Sequence, residues 1–409
     1  MTVCFSYSVP LVRARLSSSL NLYERDAIMD DAQNAYEYLD NLKRINTNAK
    51  PSFSSLRDYL DLKAKKAGVP LRGQFELSPL CNFDCKMCYT HLTREQMGRK
   101  QLLTTAQWKD LMREAWEAGM LCVNLTGGEC LAYPGFEEIY LYLRALGCEL
   151  TVLTNGALLD DKWIQFFREN RPYMIQITLY GSDDDHYEKV TGHRKFEVVA
   201  NHIRRAREAD LPVVLTVTPS SYQKDDLYDT LRAARSFDTP VSINSHLSDP
   251  KEETGRSGVD HDMAFEEYVR LYEFWNQLCG ISIDPISPEK LPPPGGPHRE
   301  CSGCGLTCKA GLSCFTVEWD GKMYACNSIR DIWAEPLKTG FAKAWEQIHQ
   351  KALAWPIIPE CIDCPYESVC SNCAVFKQRF AEPGKQPLAL CQQTRSLVAR
   401  GLRRIPACE

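Results

Sequence analysis

The chain has 409 residues and a mass of 46.5 kDa, a length that suits two or three domains. Hydrophobic residues make up 44% and charged residues 25%, with a mean hydropathy of −0.34, which excludes collagen-like, coiled-coil and disordered chains. The formal charge of −5 comes without a long basic block, so nucleic acid is not an expected partner.

Residues 1–72 form a polar, mostly helical extension. Within it Phe53, Leu56, Tyr59, Leu60 and Ala64 recur at helical spacing; Ser52 or Ser54 can cap the segment, and Gly68 and Pro70 stop it. From 73 to 284 the pattern alternates. Strand-like runs at 74–78, 121–126, 149–154, 174–179, 213–218 and 241–245 lead into helical segments at 105–118, 134–146, 159–169, 195–209, 224–236 and 263–278. Six βα units in succession predict an α/β fold, a partial (β/α)6 TIM-like barrel, with ligands at the carboxyl ends of its strands. Residues 285–300, PISPEKLPPPGGPHRE, are a Pro/Gly-rich linker. Residues 301–409 are Cys-rich, with a Trp-containing helix around 339–353. In FTVEWDGKMYA, Asp320-Gly321 reads as a two-residue hairpin turn.

Cysteine is the outlier, with 19 residues. A chain this long builds its own core without disulfide staples, and an odd number cannot pair completely, so metal is the first explanation. No run of 18 apolar residues occurs, so no membrane partner is expected. The amino terminus places apolar residues before its arginines, the reverse of a secretory signal. The expected compartment is the cytoplasm, where thiols stay reduced.

Directly after the first expected strand comes CNFDCKMCY, with Cys81, Cys85 and Cys88 spaced C-x3-C-x2-C. Three thiolates in one short loop can hold three irons of a cubane and leave the fourth open; zinc is usually bound through C-x2-C pairs. On these residues the chain resembles the radical S-adenosylmethionine (SAM) superfamily, over roughly residues 73–280. The resemblance extends to Thr126-Gly127-Gly128-Glu129 after the second strand, Thr154-Asn155-Gly156 after the third and Thr178-Leu179-Tyr180-Gly181 at the fourth.

The resemblance implies that Cys81, Cys85 and Cys88 hold a SAM-binding [4Fe–4S] cluster, and that Met87, Gly127, Gly128, Glu129, Asn155 and Thr178 bind the cofactor. In that reading the glycines let backbone approach the ligand, Glu129 accepts from the methionyl ammonium and Thr178 lies near the ribose. Met87, at a position usually aromatic, packs its thioether on the purine. No catalytic residue is assigned. Cys130 stands where proline is usual. Like Cys122, Cys148 and Cys279 it is expected to pack as a small hydrophobe.

The remaining cysteines resemble the SPASM extension of peptide-modifying radical enzymes, a small Cys-rich domain with two auxiliary [4Fe–4S] clusters. Carried over by position, the first takes Cys308, Cys314, Cys326 and Cys373, and the second Cys361, Cys364, Cys370 and Cys391. The spacing between Cys370 and Cys373 is one residue shorter than usual, which can change the cluster Cys373 serves. A pair of zinc ribbons is the alternative, since C-x2-C suits tetrahedral zinc equally. Cys301 and Cys304 stay unassigned.

The function implied is a radical SAM maturase. It cleaves SAM reductively to a 5′-deoxyadenosyl radical and abstracts hydrogen from a peptide residue, leaving a thioether, an ether or C–C crosslink, or an epimerised residue. SAM, three [4Fe–4S] clusters, a peptide or protein substrate and a flavodoxin- or ferredoxin-type electron donor go with it. The enzyme alternatives are a sulfatase-maturing, formylglycine-forming enzyme and a small-molecule radical SAM dehydrogenase. The non-enzyme alternative is a zinc-binding interaction protein.

Overall fold

The computed structural model describes residues 53–244, 247–254, 263–281, 305–306, 308–370 and 373–402. The expectations for residues 1–52, for the linker at 285–300 and for Cys301 and Cys304 lie outside the described residues. The chain divides after Asp61, and the larger unit runs from Leu62 to Ile405. The opening helix α1 (Phe53–Ala67) crosses that division and ends before Gly68.

Six strands, β1 (Arg72–Glu76), β2 (Cys122–Thr126), β3 (Glu149–Thr154), β4 (Met174–Thr178), β5 (Val213–Val217) and β6 (Val241–Ile243), pair in parallel in chain order. The connections carry α2 (Arg94–Met97), α3 (Thr105–Glu117), α4 (Phe136–Ala145), α5 (Asp161–Glu169), α6 (Asp184–Thr191), α7 (Phe196–Glu208) and α8 (Leu227–Ser236), and α9 (Phe265–Leu278) follows β6. The expected elements fall within about three residues of these bounds. The short α2 and the α6 turn are additions. Capping boxes set the starts of α2 and α3, through Thr93 with Gln96 and Thr104 with Gln107. Among the described residues no helix is long and apolar enough to cross a membrane.

Alternation along the strands sorts the two faces of this sheet. Phe75, Leu125, Ile175, Ile177, Leu215 and Val217 are buried in the main core. Their neighbours Gln74, Gln176, Thr178, Thr216 and Thr218 instead line a cavity of about 310 Å³. The interior of a closed TIM barrel is packed with branched apolar side chains. Here the concave face is polar and leaves room for a ligand.

The sheet continues beyond β1. Strand β7 (Cys314–Val317) adds in parallel to its other edge, and β8 (Met323–Tyr324) and β9 (Trp333–Ala334) follow antiparallel, giving the order β6-β5-β4-β3-β2-β1-β7-β8-β9. Backbone pairing explains the join: a buried strand needs partners for its N–H and C=O groups on both sides. Side chains reinforce it. Phe315 of β7 lies edge-on to Phe75 of β1 with centroids 5.8 Å apart, and to Phe341 at 5.0 Å. Behind them stand α10 (Pro336–Thr339) and α11 (Phe341–Leu353), and Trp345 of α11 donates its indole N–H to Gly68 O at 2.7 Å. The chain continues through α12 (Ala374–Gln378) and α13 (Leu388–Ala399).

The hairpin between β7 and β8 departs from the two-residue turn expected at Asp320-Gly321. Glu318 N donates to Lys322 O at 2.9 Å, so Trp319, Asp320 and Gly321 form a three-residue loop, with Gly321 at φ +84°. Such a loop also needs a left-handed residue at its third position, so the same glycine serves a different turn.

Replacing Phe315 with alanine should cost about 3–5 kcal/mol, the range for a deleted core aromatic. Urea denaturation of wild type and Phe315→Ala measures it; a loss near zero would mean that the β1–β7 join is not held by this side chain.

Candidate functional site

The cavity opens at the carboxyl ends of β1 to β6. The loop that leaves β1 brings Cys81, Cys85 and Cys88 to it, together with Phe83 and Met87. Its backbone is held from two sides. Asp84 N donates to Thr191 O at 2.9 Å and Lys86 N to Val190 O at 3.0 Å, so the loop supplies donors to the last carbonyls of α6, which a helix end leaves unpaired. Phe83 stacks on His193 with centroids 5.7 Å apart and meets Tyr187 of α6 edge-on. Helix α6 was not expected, although Asp183 and Gly192 flank it as a cap and a stop. Asp183 accepts from His186 N at 2.8 Å, and Gly192 has φ +76°.

On the other side the loop rests on Gly127 and Gly128. Gly128 N donates to Ser78 O at 2.7 Å and Glu129 N to Leu80 O at 3.1 Å. A Cβ on Gly127 would lie 2.4 Å from Ser78 O, and one on Gly128 2.4 Å from Leu80 O. Both glycines line the cavity, and the absence of a Cβ at each admits the protein's own backbone. They let the β2 loop pack against the segment entering the cysteine loop.

Glu129 is likewise engaged by the protein's own backbone. It is fully buried and is not among the residues lining the cavity. Its carboxylate accepts from Thr154 Oγ1 at 2.8 Å, Asn155 N at 2.8 Å and Leu131 N at 3.0 Å. Burial raises its pKa while these three donors oppose the rise. In this arrangement Glu129 ties the β2 loop to the β3 loop. Asn155, so placed, donates its amide to Asn82 Oδ1 at 2.7 Å and lines the cavity beside Cys81. Met87 and Thr178 also line it.

The cysteine loop fits a thiophilic group. Sulfur atoms accept from nearby main-chain donors, Phe83 N to Cys81 at 3.4 Å and His91 N to Cys88 at 3.2 Å. Burial pushes the Cys81 thiol up to about 12, and Glu129 and Cys88 add to the rise. A bound cation would reverse that preference by stabilising thiolate. Cys130 is buried away from the cavity lining, its thiol donating to Leu153 O at 3.2 Å.

The C-terminal cysteines gather in two groups. Cys308, Cys314, Cys326 and Cys373 lie near one another: the charge of Cys373 reaches Cys308 and Cys326, and those of Cys308 and Cys326 reach Cys314. Burial pushes Cys326 up to about 11, with Cys308 and Cys373 adding to it. Cys361, Cys364, Cys370 and Cys391 line a separate cavity of about 30 Å³, along with Lys377 and Arg395. Cys370 and Cys373 thus point to different groups.

Sequence reasoning missed Gln74, Gln176 and Thr216, whose alternation with core residues was the available signal. It also missed Leu247 and Ser248, which wall the cavity from the segment after β6, where no period marks them.

Residues 75–234 match the Radical SAM superfamily. Over 261 residues the chain is 24% identical to sporulation killing factor maturation protein SkfB of Bacillus subtilis, a match covering 63% of this chain and 60% of that protein. Over 296 residues it is 25% identical to a PqqA peptide cyclase of Bradyrhizobium diazoefficiens, covering 69% and 74%. In fold it is similar to Streptococcus suis SuiB in a structure with the precursor peptide SuiA. That match has a TM-score of 0.61 and 15% identity, over 84% of this chain and 83% of that one.

Two outcomes follow from the geometry. Gly128→Ala has no backbone angle to strain, so its effect is the clash with Leu80; it should cost about 1–3 kcal/mol in urea denaturation and lower iron uptake by the cysteine loop. His186 links α6 to Asp226, its Nδ1 lying 2.8 Å from Asp183 and 3.6 Å from Asp226. The hydrogen bond to Asp183 raises its pKa above 6.5. The stabilisation is therefore complete below the ordinary histidine value and is lost as pH rises through the raised one. Melting temperatures between about pH 6 and 8 should fall less steeply in His186→Gln than in wild type; parallel curves would refute the link.

Proposed function

We propose that this chain, which carries a radical SAM domain, is an enzyme that modifies a peptide. The observation that carries the reading is the convergence of Cys81, Cys85 and Cys88 with Gly127, Gly128, Asn155, Met87 and Thr178 on one cavity at the strand ends. Peptide is the substrate class because the relatives are named as a killing-factor maturation protein and a peptide cyclase. Neither they nor the fold favour the sulfatase, small-molecule or zinc-protein alternatives.

In this reading Cys81, Cys85 and Cys88 hold a [4Fe–4S] cluster through three thiolates. Met87, Asn155, Thr178 and the backbone at Gly127 and Gly128 hold SAM, while Glu129 braces the loops that carry them. When bound, the two cofactors supply a carbon-centred radical able to take hydrogen from an unactivated C–H bond. The polar concave face orients the peptide residue by hydrogen bonds from Gln74, Gln176 and Thr216, whose Oγ1 is buried without a partner. Residues 73–284 would be the reaction domain and 301–409 the SPASM domain, with 285–300 as the linker and 1–72 as an extension. Two further [4Fe–4S] clusters would sit on the two C-terminal cysteine groups, fed by a flavodoxin- or ferredoxin-type donor in the cytoplasm.

Anaerobically reconstituted protein should be brown, carry about twelve irons per chain and convert SAM to 5′-deoxyadenosine under reduction. Cys85→Ala should abolish that conversion and lower the iron content by about four. A colourless protein, or full turnover in Cys85→Ala, would exclude the reading.

A further inference from the structure

One buried cation lies outside everything assigned so far. Lys251, in the segment after β6, has a side chain only 5% exposed. Its Nζ lies 2.5 Å from Glu76 Oε2, 2.9 Å from Glu318 Oε1 and 3.0 Å from Thr90 Oγ1. Each oxygen comes from a different part of the chain: Glu76 ends β1, Thr90 follows the cysteine loop and Glu318 opens the C-terminal hairpin. Thr90 also donates to Glu76 at 3.1 Å, and Lys251 N donates to Tyr89 O at 3.0 Å. Arg330 completes the group by pairing with Glu318 and donating to Tyr324 OH at 2.9 Å. Two cations thus face two carboxylates.

The segment that carries Lys251 is a wall of the cavity, through Leu247 and Ser248. It is pinned a second time. Arg379, just past α12, donates to Leu247 O at 2.7 Å and to Asp249 Oδ1 at 2.9 Å. Both pins run to the C-terminal cysteine-bearing region, one through Glu318 and the other through Arg379.

A buried ion pair is seldom a better glue than packed apolar side chains, because desolvation offsets the attraction. What it specifies is register: one ammonium satisfies three oxygens from three segments in a single arrangement. Thr90, two residues after Cys88, lines the cavity itself, so this register includes the cysteine loop.

We propose that Lys251 is a positioning residue that sets the Leu247–Thr254 segment as a cavity wall in register with the cysteine loop and makes that wall depend on the C-terminal hairpin. The proposal rests on the reading of this cavity as the reaction site. A peptide entering it meets a surface whose placement is decided more than sixty residues later in the chain, at Glu318.

Hydrogen–deuterium exchange on the anaerobically reconstituted full chain tests this with Lys251→Met and Glu318→Gln. Peptides covering 247–254 should exchange about tenfold faster in both, while exchange in β2 to β4 and the iron content stay at wild-type levels. Reductive cleavage of SAM without peptide should continue in both variants. Unchanged exchange at 247–254, or loosening spread evenly over the chain, overturns the proposal. If Lys251→Met fails to fold, Glu318→Gln carries the test, since it keeps the hydrogen-bonding shape. Arg379→Gln, cutting the other pin, must loosen the same segment. Failure of wild type to cleave SAM would overturn the reaction-site reading instead, and the exchange result would still decide whether Lys251 holds the wall.

Discussion

Strand β1 has partners on both edges, and most of the molecule follows from that. On one side it pairs with β2, the first return of the barrel; on the other with β7, reached only after more than two hundred residues. Leaving either row of buried N–H and C=O groups unpaired would cost several hydrogen bonds at once. The same strand feeds the cysteine loop, so its satisfaction also fixes where Cys81 begins. Phe75 on its apolar face is wedged between Trp108 and Phe315. Glu76 at its end is held by Lys251. Barrel, cysteine loop and C-terminal hairpin share one strand.

The loops around the cavity are held by protein rather than left for a ligand to order. Gly127 and Gly128 admit the backbone of Ser78 and Leu80, Glu129 binds the β3 loop, and the end of α6 accepts from the cysteine loop. Such preorganisation matters wherever a reactive group must be presented in one orientation, since ordering a loop at the moment of binding subtracts from affinity. Gly128, seated on Leu80, and Glu129, tied to the β3 loop, both contribute to this hold.

The barrel was legible because its strands and helices carry strong local signals. QFE, VNLT and MIQIT alternate by two, and the helices repeat by 3.6 between turn residues. The cysteine loop was legible because its spacing is chemical rather than structural. Helix α6 went unread although Asp183 and Gly192 mark it, since its eight residues lie inside a stretch that also holds a family motif. The hairpin was read with the right glycine and the wrong loop length, because a left-handed residue is wanted in both turn types.

By itself the sequence determined the six βα units and the three cysteines at the end of the first strand, because each is written in residue type and short-range spacing. Only tertiary structure decided that the C-terminal hairpin extends the barrel's sheet, that Glu129 ties the β2 loop to the β3 loop, and that Lys251 closes a wall. Those depend on groups far apart in the chain whose pairing is enforced by buried backbone and buried charge. Neither leaves a periodic trace in the order of the residues.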